Sequence, residues 1–269
     1  MSEPELATKF LSDLLDVSHE EIEELLQLVA SSNCRKYGEP AYNTFWVPKT
    51  SGGKRWIMDP VDPLKNLQRW IGEKFLDLFP PSRFAYGWIR NRSPLTEAKV
   101  HLRGKPEFGL SWDVQSCFPS TQFDTVARVF ENLLLDYLQI DLGNILEMAK
   151  ILAALSTIRY GDNQNPVLPM GAPTSTRIVN SLLRRFDGEF FQIISASTGG
   201  FNFTYTRYGD DLTVTSPTPL DHRKLTAEVS ELLAQYCYVL NPNKARRMQA
   251  GGSWPPLEVS GLILDVTHD

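Results

Sequence analysis

The sequence predicts an α+β fold, and three observations carry the prediction. Strand-like stretches rich in Tyr, Phe, Trp, Val and Thr sit in close pairs that read as hairpins. Longer helical stretches separate them without a steady strand–helix alternation. With 42% hydrophobic residues over 269 positions, the chain can bury a sizeable core as one large domain or two intimate subdomains.

The elements follow in order. Leu6, Phe10, Leu14 and Leu15 share one helical stripe. Ser18 followed by Glu21 is a capping box that opens a second helix, with Ile22, Leu25, Leu26 and Val29 as its apolar face. Residues 42–47 and 55–58 read as strands joined by a flexible basic tip, Pro48-Lys-Thr-Ser-Gly-Gly-Lys54. A helix from Asp62-Pro63 to about Phe79 stops at Pro80-Pro81. Residues 108–113 form a strand ending on Asp113. Helices are expected over 119–132, 141–157, 174–196 and 221–237, and a closing strand over 257–264.

Composition narrows the function classes. No apolar run approaches the ~18 residues that span a bilayer. The acidic start, Met1-Ser-Glu-Pro-Glu, lacks the basic region of a signal peptide. Cys34, Cys117 and Cys237 show no ligand spacing, so reduced thiols in the cytoplasm are expected and a zinc site is not. The net charge of −5 conceals an asymmetry: residues 1–34 carry eight acids against Lys9, whereas residues 35–105 hold fourteen Lys/Arg against six acids. A concentrated basic segment suits a phosphate backbone, though a solvated face is the simpler reading.

The chemistry centres on Tyr208-Gly-Asp210-Asp211. Alternating Tyr, Thr and Val on both sides favour strands, and Gly209-Asp210 supplies the turn. Adjacent carboxylates in a tight turn repel each other. A polar hairpin tip is one reading; a divalent-cation site is the other, since hard carboxylate oxygens are what Mg²⁺ prefers. Asp113 ends its own strand and is either the cap of the next helix or a third ligand. Three such carboxylates suit two-metal chemistry, in which ions ~3.5–4 Å apart promote in-line displacement at phosphorus.

A collinear set of motifs then resembles those of reverse transcriptases. Tyr208-Gly-Asp-Asp211 looks like their Tyr-x-Asp-Asp box, and Asp113 with Phe118 like their first catalytic motif. Leu168-Pro-Met-Gly171-Ala-Pro-Thr-Ser175 is similar to their template- and nucleotide-positioning motif, and Pro48-Lys-x₃-Gly-Lys-Arg55 to the fingers segment that holds the triphosphate. Asn243-Lys244 and Val259-Ser-Gly261-Leu resemble the late palm motifs. The nearest subgroup is the bacterial retron-type and defence-associated enzymes, which carry Asn-Ala-x-x-His and Val-Thr-Gly. Here Ala98, His101, Val259 and Gly261 match, while Glu97 and Ser260 depart. Met170, Thr176 and Cys117 also stand where Gln, Pro and Phe are usual.

The resemblance implies a right-hand polymerase with fingers and palm, its thumb absent or minimal: an acidic helical segment at 1–34, fingers at 35–112, and palm at 113–269 with interleaved fingers helices. It implies an RNA-directed DNA polymerase of an anti-phage defence system, using two Mg²⁺ ions with Mn²⁺ as substitute. Asp113 and Asp210 would be the principal metal ligands, with Asp211 and the Val114 carbonyl contributing. Phe118 would select dNTPs as a steric gate, or simply pack in the core. Lys49, Lys54 and Arg55 would clamp the triphosphate, Gly171 would let backbone approach base or template, and Lys244 would protonate pyrophosphate or be an ordinary surface lysine. Ser175 and Arg177 open a helix facing phosphate, and Arg90, Arg92 and Arg103 are further candidate phosphate contacts. His101 fits a satisfied buried histidine better than a catalytic one.

Expected partners are a structured RNA template, the RNA–DNA duplex and dNTPs. Only eight residues follow Gly261, so either the enzyme is truncated or minimal, or an effector or thumb-supplying protein, or other copies of the chain, would grip the duplex. Three alternatives stand beside this reading. An RNA-dependent RNA polymerase usually has a second Asp near the position of Phe118, where this chain has an aromatic ring. A non-templated nucleotidyl transferase is the second. The third, an inactive RNA-binding scaffold, is at odds with the presence of all three carboxylates.

Overall fold

The computed structural model describes residues 3–33, 40–49, 52–138, 141–159, 165–200 and 202–265. Cys34, the start of the basic segment, and Thr50 and Ser51 of the hairpin tip lie outside them. Nine helices and eight strands are seen among the described residues: α1 (Glu3–Leu15), α2 (His19–Ser31), β1 (Tyr42–Pro48), β2 (Lys54–Pro60), α3 (Asp62–Lys74), α4 (Pro94–Arg103), β3 (Phe108–Asp113), α5 (Cys117–Ser120), α6 (Phe123–Tyr137), α7 (Leu142–Ser156), α8 (Ser175–Ser197), β4 (Thr204–Tyr208), β5 (Asp211–Ser216), α9 (His222–Gln235), β6 (Arg246–Gln249), β7 (Glu258–Val259) and β8 (Leu262–Ile263). The α+β class is as the sequence predicts.

The chain divides into two compact units, one of residues 1–80 and 118–181, the other of 81–117 and 182–269. The division interleaves along the chain because residues 118–181 return to the first unit.

In the first unit α7 is central, packing against α1, α2, α3 and α6. Its Ile145, Met148, Ala149, Leu152 and Ala153 are buried, the periodic stripe of a helix with neighbours on most sides. Ser18 caps α2 as expected, accepting from the Glu21 amide at 3.1 Å. The β1–β2 hairpin pairs Trp46 with Trp56, whose rings lie 4.5 Å apart. The helix expected to reach Phe79 ends at Lys74. Phe75 leaves helical geometry (φ −122°), and a 3₁₀ turn over Leu76–Leu78 follows. The helix expected from 119 begins at Phe123, because Thr121 and Phe123 bond instead to Leu168 and Pro166.

The second unit is built on an antiparallel sheet of order β4-β5-β3-β6. Side chains alternate across it. One face carries Leu110, Trp112, Leu212, Val214 and Tyr205. Phe190 of α8 packs on that face, its ring 5.8 Å from Trp112 and 5.1 Å from Tyr205, and the Trp112 indole donates to Thr226 of α9 at 2.9 Å. The other face, with Thr206, Thr213 and Thr215, meets α4. Ser93 and Thr96 cap α4 reciprocally with Pro94 at its first turn, a start signal present in the sequence but overlooked there.

The closing strand expected over 257–264 is a small hairpin, β7–β8, in which Val259 pairs with Leu262. Ser260 (φ 47°) and Gly261 (φ 82°) form its tip, the double positive φ of a type I′ turn. Val259, Leu257 and Leu264 pack with Ala98 and Met248 as a core cluster against α4.

Candidate active site

Register brings the three carboxylates together within the second unit. Asp113, the last residue of β3, pairs directly with Asp211, the first of β5. Tyr208 pairs with Asp211, so Gly209-Asp210 is a two-residue loop; Gly209 has φ 66°, a positive value at the first central position as type II′ turns require. The Val114 amide donates to the Asp210 carbonyl at 3.0 Å, stitching the turn to the end of β3.

Asp113 is buried and held by the turn after α9. Lys244 Nζ lies 2.6 Å from its Oδ1, Asn241 Nδ2 donates to Oδ2 at 3.2 Å, and the Asn241 amide donates to its carbonyl oxygen at 2.8 Å. Asp211 keeps solvent-exposed surface, yet desolvation first, then the charges of Asp210 and Asp113 push its pKa up to about 7. Desolvation pulls Lys244 down, but its hydrogen bond to Asp113 and the charges of all three aspartates outweigh this and hold its pKa above the ordinary value. Burial, then the charge of Asp210, drives the Cys117 thiol up to about 12, so it stays a neutral packing group.

These oxygens fit a hard divalent cation: they are carboxylates, and they carry excess negative charge that a cation relieves. As the side chains stand, Asp113 is engaged by Lys244 and Asn241, and among the described residues no set of three His, Cys, Asp or Glu is arranged to hold a metal. A cation bound at Asp113 would share its carboxylate with Lys244 and Asn241 or displace one of them.

The other predicted residues separate into exposed and committed groups. Lys49, Lys54 and Arg55 are exposed on the β1–β2 hairpin, and Arg90 and Arg103 are exposed in the second unit. Arg92 is instead committed to backbone: its guanidinium donates to the carbonyls of Ser82 (2.9 Å) and Ala85 and lies over the Tyr86 ring. Arg177 pairs with Asp77 at 2.9 Å and donates to the Pro173 carbonyl, tying the start of α8 to the 3₁₀ turn. Ser175 is fully buried, and its hydroxyl donates to the Pro169 carbonyl at 2.7 Å. These three side chains make hydrogen bonds that organise their own loops.

Gly171 (φ 123°) is required by its neighbours in the same unit. A Cβ there would lie 3.0 Å from Ile57 Cγ2 and the Met58 carbonyl, and the Met58 amide donates to the Met170 carbonyl. Phe118 is almost buried, at 9% exposure. His101 is the satisfied buried histidine expected: Nδ1 meets Thr215 Oγ1 and Nε2 meets Thr206 Oγ1, each at 2.7 Å. Sequence reasoning missed Asn241, Arg207 and Asp187. Asn241-Pro242 carried a turn signal, but nothing local marks the other two.

Three aspartates at one β3–β5 end of an antiparallel sheet suit a polymerase that works by two-metal nucleotidyl transfer. The family model for reverse transcriptase (RNA-dependent DNA polymerase) matches residues 47–259, and the chain belongs to that family. Within it the chain is similar to retron reverse transcriptases, as its motifs predicted. It is 29% identical to the retron Mx162 enzyme of Myxococcus xanthus, over 83% of this chain and 47% of the relative. Against the retron Mx65 enzyme of the same organism the figures are 30%, 84% and 52%, and against the retron Ec86 enzyme of Escherichia coli 29%, 94% and 71%. The chain thus spans about half the length of the Myxococcus relatives.

Solved structures share the fold at low identity. A telomerase from Candida tropicalis truncated from its C-terminal domain superposes with TM-score 0.56 at 15% identity, covering 94% of this chain and 61% of that one. A telomerase from Candida albicans in complex with a fragment of telomeric RNA gives 0.55 at 14%, covering 82% and 43%. The family uses divalent metal ions. Among the described residues no helix is long and apolar enough to cross a membrane.

Proposed function

We propose that this chain carries the fingers and palm of an RNA-directed DNA polymerase that copies a structured RNA into DNA in a bacterial defence system of retron or related type. The observation that carries the reading is the Asp113–Asp211 register pair with Asp210 beside it, inside a reverse transcriptase family domain. In this reading residues 35–112 are fingers, of which 81–112 belong to the second unit. Residues 113–269 are palm, with the interleaved fingers helices of 118–181 in the first unit.

Asp113 and Asp210 would be the principal ligands of two Mg²⁺ ions, with Asp211 and the Val114 carbonyl assisting. When bound, such ions activate the attacking hydroxyl and stabilise the leaving pyrophosphate. Lys244 supplies a proton or positive charge beside Asp113. The roles of Lys49, Lys54 and Arg55 toward triphosphate, of Phe118 toward the sugar, and of Arg90 and Arg103 toward phosphate rest on the family resemblance. The template is RNA, the product an RNA–DNA duplex and the substrates dNTPs. The working form is a cytoplasmic assembly with structured RNA and an effector protein or second copy.

Primer extension tests the reading directly. Purified protein with Mg²⁺, a primed RNA and dNTPs is expected to incorporate nucleotides, with Asp210→Ala as the inactive control. Incorporation no greater than in that control rejects polymerase activity; a preference for rNTPs over dNTPs transfers the assignment to an RNA polymerase.

A further inference from the structure

Beneath the metal-facing turn lies an ion pair buried at both ends. Arg207 Nε donates to Asp187 Oδ1 at 2.8 Å and Nη2 to Oδ2 at 2.9 Å, with both side chains at 0% exposure. Tyr205 adds its hydroxyl to Asp187 Oδ1 at 2.8 Å. The third arm of the guanidinium leaves the pair: Nη1 donates to the Gly209 carbonyl at 2.9 Å. That carbonyl belongs to the peptide plane joining Gly209 to Asp210.

We propose that Arg207, anchored by Asp187, is a positioning residue that sets the orientation of the Gly209–Asp210 peptide and so the direction in which Asp210 presents its carboxylate. Three observations support it.

The first is placement. Strand alternation puts Arg207 on the sheet face opposite Asp113 and Asp211, so it steadies the turn without competing for the ligand space. The second is energetic. A buried ion pair gives stability that well-packed apolar residues supply as well, because desolvation offsets much of the attraction. Stability alone therefore does not account for the pair, whereas the planar fork of Arg is suited to holding two acceptors at fixed angles.

The third is that the rest of the turn is fixed to match. The Arg207 backbone bonds to the 84–86 segment, its amide donating to the Phe84 carbonyl at 2.7 Å and its carbonyl accepting from the Tyr86 amide at 2.6 Å. The same segment continues into Gly87 and Trp88, which close over Gly209. A Cβ on Gly87 would lie 2.3 Å from the Gly209 nitrogen, and one on Gly209 2.8 Å from the Trp88 ring. With backbone fitted closely on one side, the Arg207 hydrogen bond on the other leaves the peptide one orientation.

The inference rests on the polymerase reading, and two variants separate it from that reading. Arg207→Lys keeps the charge opposite Asp187 but cannot hold both Asp187 oxygens and the Gly209 carbonyl. The double variant Asp187→Leu/Arg207→Met replaces the pair by apolar groups, avoids an unpaired buried charge and removes the Gly209 bond. Both are compared with wild type in kcat, dNTP KM, the Mg²⁺ midpoint of extension, and Mn²⁺ binding by titration calorimetry without nucleic acid.

Folded Arg207→Lys is expected to lose roughly 10–100-fold in kcat or metal affinity, the range for groups that orient metal ligands, with dNTP KM little changed. The double variant should show the same loss at near wild-type thermal stability. Wild-type kcat, Mg²⁺ midpoint and Mn²⁺ affinity in folded Arg207→Lys overturn the proposal, and that variant decides the question if the double variant does not fold. An inactive wild-type protein would instead reject the polymerase reading, and the Mn²⁺ titration would still test the strut.

Discussion

Ser260 Oγ donates a 2.6 Å hydrogen bond to Glu97 Oε2. These are the two positions at which the chain departs from the retron-type motif pair, and the structure shows that the departures meet. Glu97 Oε1 accepts from Thr206 Oγ1 at 2.6 Å, and Thr206 contacts His101 Nε2. A hydroxyl has one proton to give, so Thr206 accepts from Nε2–H and His101 Nδ1 accepts from Thr215. The β7–β8 tip, α4 and two sheet strands thus share one polar chain.

The two positions should therefore be coupled. Glu97→Asn alone strands Ser260 and Thr206, whereas Glu97→Asn with Ser260→Thr restores the family spelling. Urea unfolding of both single variants and the double is expected to give an interaction energy of about 1 kcal/mol, within the range for hydrogen-bonded neighbours. Simple additivity would count against the coupling.

His101 predicts an acid-side loss of stability. Burial lowers its pKa from 6.5 to about 4 in the folded protein, so the unfolded chain binds the proton first. Its contribution is complete above 6.5 and is lost as pH falls toward 4, amounting to roughly 3 kcal/mol. Glu97 acts in the opposite sense: desolvation raises its pKa against the hydrogen bonds from Ser260 and Thr206, so its contribution is lost as pH rises through the raised value. Comparing wild type with His101→Gln across pH 4–7 isolates the histidine, and an unchanged slope in the variant would refute its role.

Asp211 makes the metal-free protein less stable as pH rises. Its folded pKa near 7 exceeds the ordinary 3.8, so stability falls as pH climbs between those values. At pH 8 without divalent ions, Asp211→Asn should be more stable than wild type by about 1 kcal/mol, a fraction of what the shift alone would give because the residue reaches solvent. Mg²⁺ should raise the wild-type Tm more than that of the variant. Equal Mg²⁺ responses would remove Asp211 from the cation site.

Lys244 holds Asp113 by a 2.6 Å ion pair, and its positive charge opposes a divalent ion at the same carboxylate. Lys244→Met is therefore expected to bind Mn²⁺ several-fold more tightly while extending primers more slowly. Weaker Mn²⁺ binding in the variant would show that the ammonium organises the ligand set rather than opposing it.

Local chemistry explains what was legible. Gly209-Asp210 between alternating strands is a local turn signal, and Ser18 with Glu21 a local helix-start signal, and both are met in the structure. Ends decided by distant partners were misjudged. Thr121 and Phe123 delay α6 by bonding to the 166–168 segment, and Ser260-Gly261 folds the expected closing strand into a hairpin against α4. Ser175, Arg92 and Arg177 carry the right chemical groups for phosphate, but only the folded structure shows the partners those groups have within the chain.

The sequence by itself determined the family and the α+β class and singled out the three aspartates, because residue type, turn chemistry and motif order are properties of the chain read in line. Tertiary structure alone decided who holds those aspartates. Asn241 and Lys244 reach Asp113 across 128 and 131 positions, and Asp187 meets Arg207 across 20. Such pairings arise when strand register and helix packing bring the residues together, and no local pattern encodes them.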